Sequence, residues 1–90
     1  MTPSPSQTLS VHSEIDHLNA TAASAFKEGK IDVANSLCED SITRSIAANY
    51  PGGKGDALIV KGKVLYRTLH LDDAFAVFQE VLDIFQEVGD

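Results

Sequence analysis

Ninety residues support one domain with a single modest core, so any function must sit on one surface or groove. The formal net charge of −6 argues against nucleic acid as a partner, because such binding draws most of its affinity from Lys and Arg neutralising phosphates. A hydrophobic content of 43% is ordinary for a soluble domain, and no apolar run comes near the roughly 18 residues of a membrane span, which excludes a transmembrane role.

The chain opens Met1-Thr2-Pro3-Ser4-Pro5-Ser6-Gln7-Thr8, with neither a basic start nor an apolar stretch, so it does not resemble a secretory signal and a cytoplasmic protein is expected. Residues 1–12, rich in Ser, Thr and Pro and without apolar periodicity, are expected to be a flexible tail. Thr2-Pro3 and Ser4-Pro5 have the form of phosphorylation dipeptides, which are common by chance. From Ser13 to Glu28, Ile15, Leu18, Ala22, Ala25 and Phe26 fall at the spacing of one helix face, with Ser13 as its cap and Gly29 as its stop. A second helix carries Ile31, Ala34, Leu37, Cys38, Ile42 and Ile46 and runs to about Asn49. Tyr50-Pro51-Gly52-Gly53 reads as a break. A third helix over about 55–69 presents Leu58, Gly62, Leu65, Tyr66 and Leu69, and a fourth over 71–88 presents Leu71, Ala74, Phe75, Phe78, Val81, Leu82, Phe85 and Val88. Strand signals are weak, so the expected fold is all-α: four helices in two tandem antiparallel hairpins, at about 13–50 and 55–90.

The two halves repeat. Placing Ala34 over Ala74, an offset of 40, aligns Leu18 with Leu58, Ala22 with Gly62, Ala25 with Leu65 and Cys38 with Phe78. The small residues at Ala22, Gly62, Ala34 and Ala74 let paired helices approach closely. This pattern resembles the tetratricopeptide repeat family over about Ser13 to Asp90: Leu18, Ala22 and Ala25 followed by Gly29-Lys30-Ile31-Asp32-Val33-Ala34, then Leu58, Gly62 and Leu65-Tyr66 followed by Leu71-Asp72-Asp73-Ala74 and Phe78. The second turn holds Leu69-His70 where the family has a glycine. The long hairpin and the Gly-Asp pairs Gly55-Asp56 and Gly89-Asp90 are similar to a subclass found in bacterial regulators. The resemblance implies an interaction or regulatory segment, the N-terminal part of a larger signalling protein, whose partner segment lies in a concave groove. Two hairpins ending on an apolar helix are expected to continue into further repeats or to self-associate as a homodimer.

Carried over position by position, that resemblance lines the groove with Asp16, Asn19, Ala23, Phe26 and Lys27 of the first hairpin and Asp56, Ile59, Lys63, Tyr66 and Arg67 of the second. Lys27, Lys63 and Arg67 suit carboxylates and Phe26 and Tyr66 suit apolar anchors, so the expected partner is an acidic, partly apolar protein or peptide segment. Two other readings are a self-contained homodimerisation domain and a sensor of a peptide or small ligand.

The sequence offers no catalytic constellation. Gly52-Gly53-Lys54-Gly55 lacks the strand, glycine spacing and hydroxyl of a phosphate loop. His12, His17 and His70 have no metal-ligand spacing, and one cysteine makes neither a disulfide nor a thiolate metal site. Cys38 lies on an apolar helix face without a histidine to activate it. Neighbouring acids such as Glu39-Asp40 and Asp72-Asp73 point in different directions on a helix and cannot flank one bond. Asn19-Ala20-Thr21 matches a glycosylation sequon inside a helix. No cofactor, metal, nucleic acid or membrane is expected as a ligand.

Overall fold

Three turns of one kind divide the chain. In the computed structural model, which describes residues 5–89, the backbone enters the left-handed region at Gly29 (φ 79°), Asn49 (φ 51°) and Leu69 (φ 65°). One residue after each, an amide N–H reaches back to a helix carbonyl: Lys30 to Ala25 at 2.9 Å, Tyr50 to Ser45 at 2.8 Å and His70 to Leu65 at 2.8 Å. The preceding amides of Gly29, Asn49 and Leu69 bond the carbonyls of Phe26, Ile46 and Tyr66, completing the left-handed helix stop in which two otherwise unpaired carbonyls are satisfied. The turns lie 20 residues apart, so the forty-residue sequence repeat contains two equal helix-plus-turn units.

Between the turns run α1 (Pro5–Lys27), α2 (Ile31–Ala47), α3 (Pro51–Arg67) and α4 (Leu71–Gly89). No strand occurs among the described residues, and the all-α fold of two tandem antiparallel hairpins is observed. Three expectations about boundaries are corrected. Helix α1 begins at Pro5, so Ser13 lies inside it and cannot cap it; the part of the expected tail before Pro5, with Thr2-Pro3 and Ser4, falls outside the described residues. Proline is tolerated in the first turn of a helix, no glycine interrupts the run that follows, and further along the ring of His12 stacks on Tyr50 (centroids 3.8 Å apart, planes 6° apart), which ties α1 at His12 to the α2–α3 corner. Helix α2 stops at Ala47 rather than Asn49.

The third correction concerns Pro51-Gly52-Gly53, which opens α3 instead of separating it from α2. Proline is preorganised for the first helical position. Gly53 is there for closeness: a Cβ on it would lie 2.6 Å from Tyr50 Cδ2, 2.7 Å from Ile15 Cγ2 and 2.9 Å from Ser45 Oγ. The head of α3 is thereby pressed onto both helices of the first hairpin.

Among the described residues, helices α1 and α2 pair, α3 packs on both, and α4 packs on α3 alone. The core consists largely of small residues: Ala22, Ala25, Ala34, Cys38, Ala57, Val60 and Val64, with Phe26, Ile31, Leu37 and Ile42 closing its edges. Such side chains let helix axes approach to the short end of the usual range of about 8–10 Å. Ala34 and its repeat mate Ala74 are both buried, as are Ala22 and Gly62. No helix among the described residues is long and apolar enough to cross a membrane.

Candidate interaction surface

Asn19 comes out differently from the sequence expectation. It shares a helix face with Ile15 and Ala22, at spacings of four and three, and it is buried with them. Its amide donates to the Gly53 carbonyl at 3.0 Å, and its carbonyl oxygen accepts the Ser41 hydroxyl at 2.6 Å. Asn19 thus joins α1, α2 and α3 and lines no groove, a placement that its spacing from Ile15 and Ala22 already signals. Asp16 is also engaged, accepting the Tyr50 hydroxyl at 2.8 Å. That hydrogen bond, with burial second, raises the Tyr50 phenol above its ordinary range. Partial burial at the head of α3, and then the negative charge of Asp16, raise the Asp56 carboxyl.

Phe26 and Ala23 pack half-buried against the core. Lys27, Lys63, Tyr66 and Arg67 are exposed and Ile59 is half-buried, so the second hairpin supplies most of the groove residues that remain available. Lys27, Lys63 and Arg67 form no ion pair among the described residues, whereas Lys54 pairs with Glu80 at 3.1 Å and Lys61 with Glu39 at 2.6 Å.

The largest open apolar surface among the described residues lies on α4, the helix that the sequence expects to meet a further repeat or a second copy. Its inner side rests on α3 through Ala74 and Val81, and the rings of Phe78 and Phe85 sit over Gly62 and Gly55, where an added Cβ would meet ring carbons at 2.6 Å and 2.8 Å. Beside this contact a second apolar face stands open. Leu71 is 52% exposed, Phe75 67% and Leu82 56%, while Phe78 and Phe85, each 37% exposed, belong to both faces. Together Leu71, Phe75, Phe78, Leu82 and Phe85 form one stripe, and Tyr66, 67% exposed on α3, extends the apolar surface. The sequence held the signal: the large apolar residues of one helix fill two adjoining faces, and a single neighbouring helix covers one.

The charged residues of α4 stand apart from the stripe. With residues about 100° apart around a helix, Asp73, Glu80 and Glu87 fall on the side opposite it, Asp72 and Asp83 at its far edge, and Gln79 and Gln86 between. The surface is an apolar strip with an uncharged margin. Its area invites docking, because apolar surface withdrawn from water contributes roughly 25 cal/mol per Å².

Chemistry elsewhere is sparse. Cys38 is fully buried, its thiol donates to the Asn35 carbonyl at 3.2 Å, and burial pushes its pKa up to about 11, so it is a protonated core residue at neutral pH. A shallow hollow of about 260 Å³ between the start of α2 and the end of α3 is lined by Ile31, Asn35, Lys61, Val64 and Thr68, with His70 at its rim, where Nδ1 lies 2.8 Å from the Thr68 hydroxyl. Asn35 and Lys61 already hold one another there, at 2.8 Å.

Fold and surface define an all-helical protein of two stacked hairpins with one apolar flank left open. Compared with known proteins, the chain matches no family, no curated protein and no solved structure.

Proposed function

We propose that this chain is a protein-interaction module built of tetratricopeptide-like hairpins, and that it takes a helical segment of a partner protein on the open flank of α3 and α4. The observation that carries this reading is the stripe of Leu71, Phe75, Phe78, Leu82 and Phe85, which leaves large apolar side chains in water on one side of a single helix. Support comes also from the internal symmetry. Forty residues earlier, the equivalent positions Ile31, Asn35, Cys38, Ile42 and Ser45 lie on α2, the helix that α3 covers. A helix laid on α4 as α3 is laid on α2 completes the pattern. Lys63 and Arg67 on α3 suit acidic residues flanking the partner's apolar face, and the likeness of the hairpins to the long-repeat subclass supports a regulatory setting.

Photocrosslinking tests the reading. Benzoylphenylalanine at position 75 is expected to yield discrete polypeptide adducts in whole cells, while the same group at position 43, on exposed α2 surface, yields none. Equal labelling from both positions, or no adduct from either, would sink it.

A further inference from the structure

We infer that the occupant of the α4 flank is a second copy of this chain, the two α4 helices running parallel about a two-fold axis. This inference rests on the interaction-module reading and names the partner. Three observations carry it. The first is spacing: the stripe residues 71, 75, 78, 82 and 85 alternate steps of four and three, the seam of a helix that packs lengthwise against another helix. The second is the uncharged margin, Gln79 and Gln86, which lets two such helices approach without carboxylates meeting across the seam.

The third is charge, and it decides the direction of pairing. The Lys54–Glu80 ion pair marks one edge of the α3–α4 contact. The stripe lies beyond the other edge, on the same side of the hairpin as Ile59, Lys63 and Tyr66. Viewed down α4, the basic edge of α3 therefore flanks the stripe on one side and Asp72 and Asp83 flank it on the other; none of these groups has an ion-pair partner among the described residues. A two-fold axis parallel to α4 lays the acidic edge of each α4 against α3 of the other copy, twice over. A perpendicular axis, giving antiparallel helices, sets acid against acid and α3 against α3. The contacts of Phe78 with Gly62 and Phe85 with Gly55 fix the register of α3 beside α4, bringing Arg67 level with Asp72. In the parallel dimer Arg67 of each copy reaches Asp72 of the other. Asp56 falls level with Asp83 and is the like-charge approach in the arrangement.

Sedimentation equilibrium of the full chain across the micromolar range is expected to give a dimer. Phe75→Glu, at a position open to solvent in the single chain, is expected to give a monomer with unchanged helicity. Arg67→Glu is expected to weaken the dimer about tenfold, as a reversed edge charge counted twice does, and the pair Arg67→Glu with Asp72→Arg to restore it. Leu82→Cys is expected to form a disulfide between copies under mild oxidation, since a seam residue of a parallel pair faces its own counterpart, and buried Cys38 does not compete. A monomeric wild type, a dimer that survives Phe75→Glu, a failed charge rescue or an absent Leu82→Cys disulfide each overturns parallel self-pairing. A monomer whose position 75 still captures another polypeptide leaves the module reading standing; a monomer that captures nothing removes both.

Discussion

Helices α2 and α4 occupy equivalent places in the two hairpins and have opposite surroundings. Helix α2 lies between α1 and α3 and presents Ala34, Cys38, Ser41 and Ser45, all essentially without exposure. At the same register α4 presents Ala74, Phe78, Val81 and Phe85, and of the described helices touches only α3. Enclosure on two sides leaves room for nothing larger than a thiol or hydroxymethyl group, whereas a helix with one neighbour lets phenyl rings lean out over its edge. Residue size along the repeat thus records how many neighbours each helix has.

Exchanging residues between the two helices tests that account most severely. Cys38→Phe forces a ring into a fully enclosed site and is expected to lower stability by about 3 kcal/mol or more, at the top of the range for overpacking. The reciprocal Phe78→Cys removes a ring that is already partly in water and is expected to cost only about 1–2 kcal/mol. Urea unfolding followed by circular dichroism measures both, and equal losses would break the comparison.

A smaller effect is expected one helix earlier in each hairpin, at Asn19 and its mate Ile59. Asn19→Leu leaves the Gly53 carbonyl and the Ser41 hydroxyl unpaired in the interior, for an expected loss of about 2–3 kcal/mol. Ile59→Asn changes a half-buried position on the open flank and is expected to cost about 1 kcal/mol or less. Should both substitutions prove equally mild in the same unfolding assay, Asn19 does not join the three helices as described.

The smallest effect concerns the turns. Gly29 and Leu69 hold the same left-handed conformation in successive hairpins, and only Leu69 has a Cβ crowded by it. Leu69→Gly is expected to stabilise the protein by about 0.5–1 kcal/mol, the relieved strain being partly offset by a freer unfolded chain. Differential scanning calorimetry would register this as a rise of a few degrees in Tm. A fall in Tm would mean that the third turn is not strained.

The hairpins were legible in the sequence because apolar residues at three-and-four spacing and paired small residues at Ala22/Gly62 and Ala34/Ala74 each have one physical reading. Pro51-Gly52-Gly53 has two. Proline ends one helix or begins another, and glycine serves freedom or closeness; only Ile15, Tyr50 and Ser45 crowding Gly53 decide between them. The twenty-residue unit stayed hidden because Gly29 alone announces its turn, while Asn49 and Leu69 adopt the same backbone without the usual residue. Lys63, Tyr66 and Arg67 were legible from their place in the repeat as exposed residues of α3. That the apolar α4 needs a further neighbour was legible too, but which of its two apolar faces stays open was not, since that depends on how many helices surround it.

Among the described residues helix α3 is the sole mechanical link between α4 and the first hairpin, and it meets that hairpin largely through Gly53, Ala57, Val60 and Val64. Glycine and alanine have no rotamers to change, and valine has one stiff torsion. A push on α4 therefore finds little side-chain play to absorb it in α3, and travels onward to α1 and α2 as displacement of a whole rod.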